Sequence, residues 1–150
     1  MDVDRQRPEA TLGPVPVLPR YAAEQPADRL GIVVETCRPD LVVATMPVAG
    51  NRQSIGIMYG GANAAFAETL GSLAAWVNAG TDRIIVGQEL SCTHHRAVRH
   101  GTVTGVCRPL HVGGGTATYE IVISDERGRR TCTARLTCAT PQPRRPARAT

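Results

Sequence analysis

Glu68 sits in the middle of GGANAAFAETLGSLAAWVNAG, a run whose other residues are almost all small or apolar. Its neighbours one helical turn away, Ala64 and Ser72, carry no charge that would neutralise it. A carboxylate on an apolar element costs on the order of several kcal/mol unless it is hydrated or paired, and such a group beside a cleft is a candidate general base or nucleophile. The plainer alternative is that Glu68 reaches water at a rim or meets an arginine from another segment. Gly60-Gly61 opens the run and leaves bare backbone N–H groups at the positive end of a helix, a place for an anion or oxyanion. Taken alone, the pair is also an ordinary tight turn. Asn51 and Gln53 stand just upstream in a polar loop, with amides able to orient a carbonyl or a water. Together these features describe a carbonyl polarised by helix N–H groups, with a carboxylate ready to attack it or to activate water. That is acyl-transfer chemistry.

One helix and six strands must position these groups. The helix is expected from about Gly61 to Ala79, close to ~30 Å long, with Asn78-Ala79-Gly80 as its C-terminal stop. Ala62, Ala65, Phe66, Ala67, Leu70, Leu73, Ala74, Trp76 and Val77 cover most of its circumference, so burial on several sides is expected, with Phe66 and Trp76 in the core. Strands are read at 30–38, 41–48, 83–95, 101–112, 116–124 and 130–139. Pro39-Asp40, Arg99-His100-Gly101, Gly113-Gly114-Gly115 and Asp125-Glu126-Arg127-Gly128 punctuate them as turns. Period-two alternation puts Cys132, Ala134, Leu136 and Cys138 on one face of the last strand and Thr131, Thr133, Arg135 and Thr137 on the other. Ala117, Tyr119, Ile121 and Ile123 share a face of the strand before it. Short links imply an antiparallel sheet, and one Ala-rich helix inserted after the second strand implies an α+β fold with the sheet curled around it. The domain spans 20–140, between a flexible Pro-rich arm (1–19) and a flexible basic tail (141–150).

The segment Gln53…Gly56-Ile57-Met58-Tyr59-Gly60-Gly61-Ala62…Ala67-Glu68-Thr69-Leu70-Gly71-Ser72 resembles the helix-opening motif of hotdog-fold thioesterases. The nearest branch holds the enterobactin-pathway proofreading, 1,4-dihydroxy-2-naphthoyl-CoA and Arthrobacter-type 4-hydroxybenzoyl-CoA thioesterases. Val86-Gly87-Gln88-Glu89-Leu90, Thr93-His94-His95-Arg96, Gly105-Val106-Cys107-Arg108-Pro109-Leu110-His111 and Tyr119-Glu120-Ile121-Val122 continue the likeness in register over roughly 30 to 139. The resemblance implies a hotdog fold, a long helix wrapped by a curved antiparallel sheet. It implies a homo-oligomer, with a dimer as the catalytic unit and dimers pairing into tetramers. By the resemblance Glu68 is the catalytic carboxylate, Gln53 orients, Gly60 offers the polarising N–H, and Ser72 places water or substrate. Glu68 would then face Gln53 and Gly60 of the partner subunit. Contacts with pantetheine or acyl group fall on Gly61, Gly87, His94, His95, Arg96, His111, Gly113 and Gly114. No cofactor is implied beyond the CoA or phosphopantetheine of the substrate.

Two departures stand out. Tyr59 occupies the place where this branch usually has histidine before Gly-Gly; a phenol donates a hydrogen bond but is no base at neutral pH as imidazole is. Tyr59 therefore either polarises a carbonyl or walls the acyl pocket. The Gly113-Gly114-Gly115 run replaces a basic pair that would touch phosphate, leaving CoA and acyl carrier protein equally open as carriers. Thioester hydrolysis, on an aryl or short acyl group, is the leading expectation. The alternatives are a tailoring enzyme (dehydratase, lyase or cyclase) on a tethered intermediate, or an acyl-thioester binding protein.

Composition excludes other classes. With 150 residues one domain is expected. No apolar run reaches membrane-spanning length, and Asp2, Asp4, Arg5, Arg7 and Glu9 leave no signal-peptide core, so a cytoplasmic protein without a membrane partner is expected. Every one of the 17 basic residues is arginine, three of them (Arg144, Arg145, Arg148) in the tail, and the near-balanced remainder with few aromatics argues against nucleic acid. Cys37, Cys92, Cys107, Cys132 and Cys138 lack metal-site spacing and read as free, buried thiols. His94 and His95 point to opposite faces of one strand, so one of them at most can enter a given site.

Overall fold

The computed structural model describes residues 25–80 and 83–141. The arm expected over 1–19 and all but the first residue of the tail expected over 141–150 lie outside them. The first element among the described residues is α1 (Pro26–Leu30), a helix with proline in its first turn and Gly31 at φ +70° closing it. Five residues are too few for apolar periodicity to reveal, and the sequence pattern marks no element before the strand expected from residue 30. β1 (Val33–Arg38) and β2 (Leu41–Pro47) form a hairpin across Pro39-Asp40, with Arg38 opposite Leu41. α2 (Gly60–Ala79) follows, then β3 (Val86–His94), β4 (Thr102–Val112), β5 (Thr116–Ser124) and β6 (Arg130–Ala139). All pairings are antiparallel, in the order β1-β2-β4-β5-β6-β3. This is the six-stranded α+β arrangement expected.

The sheet wraps α2, which touches every strand. Alternation decides which side chains meet it: Ala117, Tyr119, Ile121 and Ile123 of β5 and Cys132, Ala134, Leu136 and Cys138 of β6 are all buried against the helix. Phe66 and Leu70 answer from α2, and Gly105 of β4 has no side chain because Leu70 and Phe66 occupy the place where one would stand. Asn78 ties the far end of the helix to the β1–β2 turn, donating to the Pro39 carbonyl at 2.7 Å.

Two expectations need correction. Thr131 is buried although its face of β6 was read as outward; a register shift between Ile123 and Ser124 turns it in, and its hydroxyl donates to the Ile123 carbonyl at 3.1 Å. Trp76 is half-buried and, unlike Phe66, is not part of the core. The buried positions of α2 form one stripe, from Ala62 and Asn63 through Phe66, Ala67, Leu70 and Gly71 to Ala74 and Ala75. Outside that stripe the helix is less covered, and Glu68 and Ser72, on its margin toward β3 and β6, are half-buried.

β3 is the odd strand. It lies at the sheet edge, paired only with β6, and most of its residues are exposed, Val86 at 54%. Neither lysine nor proline guards it, the usual protections of a free edge.

Candidate functional site

The loop before α2 is built to hold a helix N-terminus open. Asn51 is buried and its amide is spent on the Leu30 and Pro47 carbonyls, both at 2.8 Å, so it braces the loop and has no donor left for a substrate. Its own carbonyl accepts from Tyr59 N–H at 2.8 Å, and Met58 N–H donates to Val98 at 2.7 Å. An isolated bridge between Arg52 and Met58 closes a small turn, with Gly56 at φ +78°. Gln53 starts that turn. Its backbone is bonded to Ile57 and Gly56, whereas its half-buried side chain makes no hydrogen bond among the described residues.

Tyr59 is the residue that caps α2, and it cannot satisfy the helix. It makes no side-chain cap, and only the N–H groups of Ala62 and Asn63 find its carbonyl, at 3.0 and 3.2 Å. Gly60 and Gly61 N–H are left without acceptors among the described residues, two free donors at the positive end of a 20-residue helix. A serine or aspartate cap would have closed this site. The Tyr59 ring folds back over Gly61, occupying the space a side chain at that position would need. The polar edge of His94, from the end of β3, comes up to Gly60: Nε2 stands 3.0 Å from where a Cβ at Gly60 would be.

Glu68 lies eight residues further along the helix, half-buried, with neither a hydrogen bond nor an ion pair among the described residues. Its Oε1 rests against Gly87 in β3, in the space a Cβ there would fill, and the strand bulges between Gly87 and Glu89. The carboxylate is therefore neither in open water nor locked to a guanidinium. The thiols around it are protonated. Burial pushes Cys138 up to about 11, with the Glu68 charge adding to the rise and the Ser72 hydroxyl beside it opposing it. Burial likewise raises Cys92, with Glu68 contributing, and lifts Cys132 to about 12. None of the three supplies a thiolate near neutral pH. The inward alternation of β6 marked Cys132 and Cys138 as buried, but nothing in the sequence set Cys138 or Cys92 near the carboxylate.

The remaining sequence-derived positions divide between the two ends of the sheet. Gly87 pairs with Cys138, and the Gly113–Gly115 turn adjoins the same end, where Thr140 N–H donates to Gly115. His111 is exposed, its Nε2 turned to Gly113, and Gly114 is exposed in the turn. His94 pairs with Cys132 at the opposite end. His95 faces away, its Nε2 2.9 Å from Thr133 Oγ1 on the outer surface, and the backbones of His95 and Arg96 are held by the Thr131 carbonyl. Of the two adjacent histidines, only His94 meets the helix. One residue the sequence reading passed over is Asn63, buried in the first turn of α2 with its Oδ1 unmet by any donor among the described residues; in a run read for its apolar face, the asparagine gave no signal.

Residues 55–132 match the family described as Thioesterase superfamily. The chain belongs to that family. A proofreading thioesterase, EntH, of Cronobacter sakazakii is 50% identical over 113 residues, which are 75% of this chain and 82% of the relative. EntH of Klebsiella pneumoniae is 50% identical over 108 residues, 71% of this chain and 79% of the other. Among solved structures, a thioesterase from Haemophilus influenzae superposes with TM-score 0.74 at 33% identity, covering 78% of this chain and 82% of that one. A mutant of a Pseudomonas aeruginosa thioesterase gives 0.72 at 37% identity, covering 75% and 83%. The fold is thus the hotdog fold and the protein is an acyl-thioester hydrolase, as the helix-opening motif implied; the tailoring-enzyme and binding-protein alternatives are not favoured. No helix among the described residues is long and apolar enough to cross a membrane. No cluster of three metal-ligating side chains occurs among them either.

Proposed function

We propose that this thioesterase hydrolyses an aryl or short acyl group carried as a thioester on CoA or on the phosphopantetheine of an acyl carrier protein, in the cytoplasm. Glu68 attacks the carbonyl carbon or takes a proton from the attacking water, while Gly60 N–H stabilises the charge that develops on the carbonyl oxygen. When water attacks, the C–S bond breaks, the electron pair leaves on sulfur, and the proton held by Glu68 passes to it as the acid is released. When Glu68 attacks, the thiolate leaves and takes a proton from solvent, and water hydrolyses the acyl–Glu68 anhydride to free acid and carboxylate. Gln53 and Ser72 orient water and carbonyl; Tyr59, Gly61, Gly87, His94, Arg96, His111, Gly113 and Gly114 line the approach. Beyond the substrate's own CoA or phosphopantetheine, this chemistry calls for no cofactor. The relatives' designation as proofreading enzymes supports a wrongly loaded acyl group as the substrate.

The catalytic unit in this reading is a dimer. Within one chain Glu68 leans on Gly87 while Gly60 meets His94, and those two β3 residues are about 23 Å apart along the strand. A single carbonyl, needing donors ~3 Å from its oxygen, does not span that. Joining two exposed β3 edges antiparallel about their midpoint would set Gly87 opposite Thr93 of the partner subunit, next to the partner's His94. The carboxylate of one chain would then stand by the free N–H groups of the other, and a pairing of two such dimers into a tetramer is compatible with it. The observation that carries the reading is the unpaired Glu68 carboxylate seated on Gly87. A thiol-release screen over aryl- and aliphatic-CoA esters and acyl carrier proteins tests it. Glu68→Ala is expected to abolish turnover of the best substrate, and retention of a tenth or more of kcat removes Glu68 from the chemistry.

A further inference from the structure

We infer that His94 is a second hydrogen-bond donor to the thioester carbonyl, acting from the same chain as Gly60. This rests on the reading that Gly60 N–H receives the developing oxyanion. Three observations carry it. The atom of the ring nearest Gly60 is Nε2, with Cδ2 and Cε1 behind it at 3.4 Å from the same point, so the imidazole presents its polar tip to the helix start. Nε2 is no more than about 4.5 Å from the Gly60 Cα itself, one carbon–carbon bond further on. Neither ring nitrogen of His94 is engaged by any described residue, whereas the adjacent His95 is bonded to Thr133. Tyr59, which stands where the branch usually carries an imidazole, has its ring turned onto Gly61, on the neighbouring position of the same turn. The imidazole beside Gly60 thus comes from β3 and not from the residue that precedes the helix.

Nε2 bears a proton in one neutral tautomer and in the imidazolium, and donates in both. As the nucleophile adds to the carbonyl carbon, the oxygen gains charge and is held jointly by Gly60 N–H and His94 Nε2–H. No proton is transferred in that step. Collapse of the tetrahedral intermediate re-forms the carbonyl and releases the thiolate. An aligned donor of this kind contributes about 10²–10³ in rate. A role in gripping the carrier, which the resemblance suggests for this position, makes a different forecast.

Benzoyl-CoA and the truncated benzoyl-N-acetylcysteamine ester separate the two. His94→Ala is expected to lower kcat about 10²-fold on both esters, with His94→Gln, which restores an N–H, recovering about tenfold of it. A loss confined to benzoyl-CoA and absent on the truncated ester overturns the inference, as does a glutamine variant no better than alanine. If the alanine variant fails to fold, His94→Gln against His94→Met makes the same comparison with side chains of similar size. The infrared carbonyl band of a bound ketone analogue, with CH₂ in place of sulfur, gives a readout independent of turnover. It should move to higher wavenumber in the His94 variants and stay put in Glu68→Ala; an unmoved band in the His94 variants overturns the inference. Failure of the Glu68 reading would instead show as turnover surviving Glu68→Ala with the band unchanged, so the two cannot be confused.

Discussion

The two ends of the α2–β3 contact are built as mirror solutions to one packing problem. At the start of the helix the glycine is on α2 and the side chain on β3, Gly60 against His94; along the helix the glycine is on β3 and the side chain on α2, Gly87 against Glu68. One end presents hydrogen-bond donors, the free N–H groups of Gly60 and Gly61. The other presents a bare carboxylate whose nearby thiols, Cys92 and Cys138, are kept protonated by burial. In the proposed mechanism the two ends are complementary, the donor end bringing no nucleophile and the carboxylate end no oxyanion donor. In the proposed dimer, the separation along β3 and its exposed edge make each end of the contact one half of a site that the partner subunit completes.

The strongest way to break that comparison is complementation. Gln53→Ala and Glu68→Ala are each expected to be nearly inactive, yet equal amounts allowed to exchange subunits should recover about a quarter of wild-type turnover, because half the dimers are mixed and each carries one intact site. No recovery, with mixed dimers demonstrated by mass, would place both groups in one chain's site. Next in size is Gly87→Ala. The methyl group takes the place of the Glu68 carboxylate, and misplacement on the ångström scale costs about 10²-fold in kcat, with thermal unfolding little changed because β3 is exposed there. Unaltered kcat would show that Gly87 does not seat the carboxylate. A smaller effect belongs to the donor end. Gly61→Ala, at an exposed helix position that would ordinarily gain from alanine, should lose stability because the Tyr59 ring fills the space. The double change Tyr59→Ala, Gly61→Ala should be more stable than Tyr59→Ala alone by about 0.4–1 kcal/mol in denaturant melts. Additive effects would mean that ring and glycine are not in contact.

The smallest expected effect lies far from both ends, in the β5–β6 turn, and serves as a control. Burial alone would raise Asp125, but the Arg129 side chain at 2.7 Å and the backbone N–H groups of Arg129 and Arg127 outweigh it and hold its pKa below the ordinary carboxylate value. A lowered pKa means that the folded state binds the proton less readily than the unfolded one. The stabilisation is thus present above pH ~3.9 and lost as pH falls through the folded value. Asp125→Asn should lower Tm slightly at pH 7 and flatten its fall toward acid, with kcat untouched. An unchanged acid dependence of Tm would show that this turn contributes nothing to it.

Much of the fold was legible because it rests on local rules. Alternation in β5 and β6 named the buried faces correctly, and the turn residues marked the ends of the strands. Thr131 escaped because a bulge shifts register without changing composition, and α1 because one turn and a half has no periodicity. Trp76 was read as core because an apolar residue on a helix declares its hydrophobicity but not which flank the sheet leaves uncovered.

The candidate site divides along the same line. That an uncompensated carboxylate and an uncapped Gly-Gly helix start stand eight residues apart is fixed by the order of residues, since neighbours on a helix are set by its 3.6-residue turn. Which strand residues come to meet them was decided only by tertiary structure. Asn51 and Gln53 look alike in the chain, yet one is consumed by the Leu30 and Pro47 carbonyls and the other is left free. His94 and His95 are adjacent, yet one reaches Gly60 and the other Thr133. Their environments depend on contacts between segments distant in sequence, which no local pattern encodes, and the strand's two-residue repeat turns a single step along the chain into the difference between facing the helix and facing away from it.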